Sequence, residues 1–168
     1  QVEEATRKAH IATKRQNITF DAINRLFKKS IKCETSHEVA KVCLSIAQEI
    51  TGSDYGSVAE VNSQGRFDTL ALSDPGWEEC RVVAEDPIAI LNDMEVRGIW
   101  RSALKSKGGV IINDPAGHSE SVGVPEGHPP MAAFLGIPFQ NTKLKGIIGV
   151  AKKEKEPPKV ARKVFRSS

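Results

Sequence analysis

Two histidines stand ten positions apart in a stretch rich in glycine and proline, His118 after Ala116-Gly117 and His128 in Gly127-His128-Pro129-Pro130. A neutral imidazole is a good metal ligand, but this separation matches no zinc-ligand spacing. Beside two prolines, His128 equally suits a ring that hydrogen-bonds the loop entering the next strand. His10 and His37 fall on expected helix surfaces and are read as inert. The three cysteines, Cys33, Cys43 and Cys80, form neither a disulfide framework nor a CxxC pair. No Ser/His/Asp arrangement, glycine-rich phosphate loop or HExxH occurs. Such a residue set points to binding rather than catalysis. Aromatic rings at Phe67, Trp100 and Phe134 can wall a ligand or fill a core. Asn113 and Asp114 precede Pro115 and first of all suit a turn.

The elements that must position these residues follow from periodicity. Residues 1–33 contain no Pro or Gly and read as one long helix. Ile18, Ala22, Leu26 and Phe27 recur at helical spacing, with Ile23 and Ile31 alongside. So polar a helix is marginal alone and needs a partner, either a copy of itself or the next helix. Thr35 or Ser36 caps a second helix, with Glu38 in its first turn. Its expected apolar face is Val39, Val42, Cys43, Ile46, Ala47 and Ile50, and Gly52 ends it. The period then changes. Tyr55–Val61 and Arg66–Leu72 flank Asn62-Ser63-Gln64-Gly65 and read as a hairpin. Residues 87–107 are expected to be helical in part, around Ile88, Ile90, Leu91 and Met94 and again around Ile99, Trp100, Ala103 and Leu104. Gly108-Gly109 stops that helix before a short strand, Val110–Ile112. A long loop over 116–130 leads to strands at Phe134–Phe139 and Leu144–Ala151, where Gly146 and Gly149 leave room for a neighbouring backbone or a ligand. This order predicts an α+β domain with a mainly antiparallel sheet.

Composition narrows the function. Hydrophobic residues make up 39% of 168, enough for one core. No run approaches the roughly 18–20 apolar residues of a membrane span. Residues 1–33 carry a net +5 and residues 152–168 another +5, so with +3 overall the body between them carries −7. An acidic body repels phosphate backbones, and no nucleic-acid partner is expected. Free cysteines and the absence of a secretory pattern predict a cytoplasmic location, with a membrane anchor upstream allowed. The sequence opens on Gln1 rather than Met and is read as a piece of a larger protein. Three organisational units are expected: a signalling and dimerisation helix over 1–33, a sensor domain over 34–152, and a basic tail or truncated linker over 153–168.

Three stretches taken together resemble the GAF domains of bacterial and archaeal histidine kinases and diguanylate cyclases. They are Thr35–Gly52 running into Tyr55–Val61; Gly109-Val110-Ile111-Ile112-Asn113-Asp114-Pro115; and Gly127-His128-Pro129-Pro130-Met131 with Phe134-Leu135-Gly136-Ile137-Pro138 and Lys145–Ala151. The resemblance covers about 35–152 and departs after Ala151, where a closing helix is usual. It implies a sheet of five or six antiparallel strands, N-terminal helices on one face, and ligand-pocket loops and helices on the other. It also implies a small-molecule ligand, a homodimer through the N-terminal helix, and a C-terminal output domain in the full-length protein. The ligand-binding residues it suggests are Trp100, Asn113, Asp114, His128, Phe134 and Phe67.

Haem-binding relatives use the His of the His-Pro-Pro-Met motif as the iron ligand, which would make His128 the haem ligand and places Gly149 where those relatives carry a distal Tyr. Relatives that reduce methionine sulfoxide use thiolates near the pocket. Cys33 and Cys43 lie in or beside the helices instead, and Cys80 stands isolated in a loop, so the domain itself is not expected to be an enzyme. The expected function is regulatory sensing for a two-component or cyclic-di-nucleotide protein. The alternatives are a structural dimerisation module or a haem-based gas or redox sensor. A core filled by Trp100, Phe67 and Phe134 favours the structural module, and an open apolar cavity with a few polar groups favours sensing.

Overall fold

Helix capping and strand alternation set the local elements, and the computed structural model describes them over residues 2–73, 91–124 and 126–153. The order is α1 (Val2–Ser30), α2 (Ser36–Thr51), β1 (Tyr55–Val61), β2 (Phe67–Leu72), α3 (Gly98–Lys105), β3 (Val110–Ile112), β4 (Ala133–Gln140) and β5 (Lys145–Lys152). The five strands form one antiparallel sheet in the order β2-β1-β5-β4-β3. The α+β class and the antiparallel sheet are as the sequence predicts.

Thr35 caps α2 with a complete capping box. Its hydroxyl accepts from the Glu38 N–H at 3.2 Å, and the Glu38 carboxylate accepts from the Thr35 N–H at 3.2 Å. These bonds satisfy N–H groups that a helix start leaves without partners. Gly52 closes the helix in the left-handed conformation at φ 63°, which an L side chain adopts only at a cost.

The apolar face of α2 differs from expectation. Its deepest residues are Ala40, Leu44 and Ile46, whereas Val39, Val42, Cys43, Ala47 and Ile50 are half-buried. The reason is two-sided packing, because α2 lies on β1, β2 and β5 while α1 lies on α2. Leu44 joins Val58, Leu70, Leu135 and Val150 in the core on this face of the sheet. Full burial of such a side chain contributes about 2 kcal/mol.

Most of α1 projects into solvent, and Ala22 is its one buried residue. It is pinned to α2 by Arg25, whose Nη1 donates to both Glu49 carboxylate oxygens at 2.9 and 2.6 Å. That bond holds the Glu49 carboxyl below its ordinary range. No described helix is long and apolar enough to cross a membrane.

Residues 91–97 depart from the expected helix. Met94 and Phe67 exchange backbone hydrogen bonds at 2.8 and 2.9 Å, and the Thr69 N–H donates to the Leu91 carbonyl. The outer edge of β2 offers free backbone groups, and satisfying them outweighs the weak helical periodicity around Leu91 and Met94. The helix begins only at Gly98. The expected helical residues Ile88 and Ile90, the expected loop residue Cys80, and the tail from 154 onward lie outside the described residues.

Candidate functional site

Two glycines face each other across the central strands and decide what covers the second face of the sheet. Gly136 of β4 and Gly149 of β5 are register partners. A side chain at Gly136 would collide with Ala103 and Phe134, and one at Gly149 with Trp100 and Phe134. With no Cβ at either position, α3 settles directly onto the sheet. Ala103 is fully buried there, and Ile99 nearly so.

Trp100 packs edge-on against Phe134, with centroids 5.1 Å apart, and against Phe67 at 6.2 Å. Phe67 and Phe134 are almost inaccessible, at 3% and 2%, and Trp100 is half-buried. These edge-to-face contacts are favourable geometry for aromatic pairs. The three rings predicted for the site are therefore brought together, and they fill the space between α3 and the sheet with one another. Gly136 and Ala103, which the sequence offered only as part of a motif and of a helical period, complete the arrangement. The signal was a small residue on each side of the contact.

Asn113 and Asp114 are exposed beyond β3. The Asp114 carboxylate accepts from the Gly117 N–H at 3.2 Å and closes a turn. His118 acts locally as well, its Nδ1 accepting from the Glu120 N–H at 3.1 Å. The Ser102 hydroxyl of α3 donates to Glu120, tying this loop to the helix, and that bond holds the Glu120 carboxyl below its usual range.

His128 is half-buried, and its Nδ1 lies 2.7 Å from the Pro129 carbonyl, to which it donates as the Nδ1–H tautomer. The Tyr55 hydroxyl donates to the Pro130 carbonyl, and the Ala132 N–H donates to the Lys152 carbonyl. The His-Pro-Pro segment is thereby fastened where β1 begins and β5 ends. Among the described residues, no hydrogen bond, ion pair or ring contact joins Asn113, Asp114 or His128 to the three rings, and no group of three or more His, Cys, Asp and Glu could hold a metal ion.

The fit to haem divides. With Nδ1 donating to the Pro129 carbonyl, Nε2 of His128 would be the nitrogen to hold an iron, and it has no hydrogen-bond partner among the described residues. The Trp100 indole, however, lies over Gly149, so the residues do not fit a porphyrin spread over the sheet at that position.

A model of the GAF domain family matches residues 33–167. The chain belongs to the GAF domain family. The match runs beyond the 35–152 carried by the sequence motifs and into the tail. No curated protein matches the sequence. Among solved structures, the domain is similar to the GAF domain of a phosphoenolpyruvate-protein phosphotransferase from Coxiella burnetii, with a TM-score of 0.64 and 17% identity over 82% of this chain and 79% of that one. It is also similar to the GAF domain of an Acinetobacter phosphoenolpyruvate-protein phosphotransferase, with a TM-score of 0.63 and 15% identity over 83% and 80% of the two chains. At these identities the likeness is one of fold. The GAF domain places α2, with α1 packed on it, on one side of its sheet and α3 on the other.

Proposed function

We propose that this GAF domain is a regulatory, small-molecule-sensing module of a signal-transduction protein, without catalysis of its own. In this reading the ligand biases the pairing of α1 with the same helix of a second copy. The observation that carries the helix-pairing part of this reading is an uncovered apolar stripe on α1. Phe20, Ile23, Phe27 and Ile31 recur three and four residues apart along its final turns and just past its end, with exposures of 63%, 42%, 64% and 82%. Leaving such a stripe in water is unfavourable, and a second copy covers it with the same residues.

A route from the sensory face to that stripe is continuous. α3 packs on β4 and β5, β5 pairs with β1, β1 packs on α2, and α2 holds α1. A ligand that favours one placement of α3 shifts the population of one helix pairing. The output in the full-length protein would be a histidine kinase or a cyclic-di-nucleotide enzyme, as the sequence motifs suggest, and phosphotransferases carry similar GAF domains.

One observation favours a second reading. The packing of Trp100 with Phe67 and Phe134 suits a structural module that only fixes dimer geometry. A thermal-shift screen of metabolites, followed by inter-helix distance measurements on spin-labelled α1, separates the two. Sensing requires a ligand that both raises the melting temperature and changes the α1–α1 distance. A screen without such a ligand leaves the structural module.

A further inference from the structure

With the three rings packed between α3 and the sheet, a ligand needs another concave surface on that side. One exists where α3 ends. A cleft of about 450 Å³ opens between the end of α3 and the β4–β5 hairpin. Lys105, Lys107 and Lys145 line it, together with the polar Ser106 and Gln140 and the apolar Leu104 and Pro138. Its volume falls within the ~300–1,000 Å³ usual for small-molecule sites.

The charge of the cleft runs against that of the body, which is net −7 over residues 34–151, yet among the described residues no carboxylate lines it. The surrounding charges can be placed element by element. On α3 and its neighbouring loop, Glu120 lies near Lys105 but accepts its hydrogen bond from Ser102. On β1, Glu60 stands opposite Gly146, and strand alternation turns it to the α2 face, away from Lys145. On the β4–β5 turn the charged residue is another cation, Lys143. Lys107 and Lys145 form no ion pair among the described residues. Like charges gathered in a concave, partly apolar site repel one another and focus a positive potential, and an anion bound among them relieves that repulsion.

We propose that this cleft binds a small phosphorylated molecule, its phosphates among Lys105, Lys107 and Lys145 and its less polar part on Leu104 and Pro138. Three ammonium groups call for a ligand of at least two negative charges, and lysine serves phosphate as a point charge. The inference deepens the sensory reading and rests on it for its consequence, because a ligand bridging the end of α3 to β5 engages the first links of the route to α1.

The test uses inorganic pyrophosphate as the probe, with amide NMR shifts and calorimetry on the whole chain at low and moderate salt. Saturable binding is expected, with shifts confined to residues 105–109 and 138–145. The double variant Lys107→Gln/Lys145→Gln should weaken binding about tenfold or more through loss of two charge-assisted contacts, with an unchanged melting temperature. The control Lys28→Gln/Lys29→Gln, on α1, should bind as the parent does. Absence of binding at millimolar pyrophosphate, equal loss in both variants, or shifts spread over α1 would overturn the site. A metabolite whose binding ignores the Lys107/Lys145 variant but moves the α1–α1 distance would remove the cleft and keep the sensor. Pyrophosphate binding as expected, in a protein where no ligand moves that distance, would keep the cleft and remove the sensor.

Discussion

At the scale of single residues, the site is decided by what glycine lacks. Gly149 receives the edge of the Trp100 indole, and Gly136 receives Ala103. Gly149→Ala should therefore destabilise the domain by about 1–3 kcal/mol through overpacking, read as a lower denaturation midpoint with an unchanged slope. Trp100→Ala should cost about 3 kcal/mol or more, as for other large-to-small core changes. In the double variant the two losses should fall short of additive, because the indole that obstructs the new methyl is gone. Additive losses would mean that Trp100 does not lie on Gly149. His128 belongs to this scale too. Its ring is engaged with the backbone of its own loop, the role the two prolines after it suggested beside the haem reading.

At the scale of elements, the α2 cap links sequence to pH. The Glu38 carboxyl accepts from the Glu34 and Thr35 N–H groups, and these bonds hold it below the ordinary glutamate range. A depressed carboxyl contributes stability that is present above the unfolded-state value and lost as pH falls through the folded-state value. Stability measured from pH 7 down to 3 should therefore fall less steeply in Glu38→Gln than in the parent. Thr35→Ala should cost about 1 kcal/mol at neutral pH. An unchanged acid limb in Glu38→Gln would show that the capping carboxylate contributes nothing there. The same scale explains residues 91–97. A segment with weak helical periodicity pairs with a strand edge because the edge offers unsatisfied backbone groups, whereas α3 begins only where Gly98 adopts φ 60°.

At the scale of the whole molecule, the imbalance lies in α1. It anchors through Ala22 and the Arg25–Glu49 pair and otherwise presents Phe20, Ile23, Phe27 and Ile31 to solvent. If a second copy covers this stripe, sedimentation equilibrium should give a dimer for the parent chain and a monomer for Phe20→Glu/Phe27→Glu. The melting of the sheet domain should change little, because neither ring belongs to its core clusters. A parent that sediments as a monomer at high micromolar concentration would remove the helix-pairing mechanism.

The local elements were legible in the sequence. Thr35 with Glu38, Gly52, the Asn62–Gly65 turn and the alternation in β1, β4 and β5 act over a few residues, so their effect is visible in a short window. The motifs from Gly127 to Ala151 carried the family for the same reason, since they record short-range backbone demands. Tertiary structure alone decided the second buried side of α2, the docking of residues 91–94 on β2, and the closing of the aromatic trio over Gly149. It also decided the meeting of Lys105 and Lys107 with Lys145, brought together because β5 pairs beside β4 and α3 packs across both. Each of these depends on contacts between residues distant in the chain, and the balance of packing and backbone satisfaction that selects them exists only once the sheet has assembled.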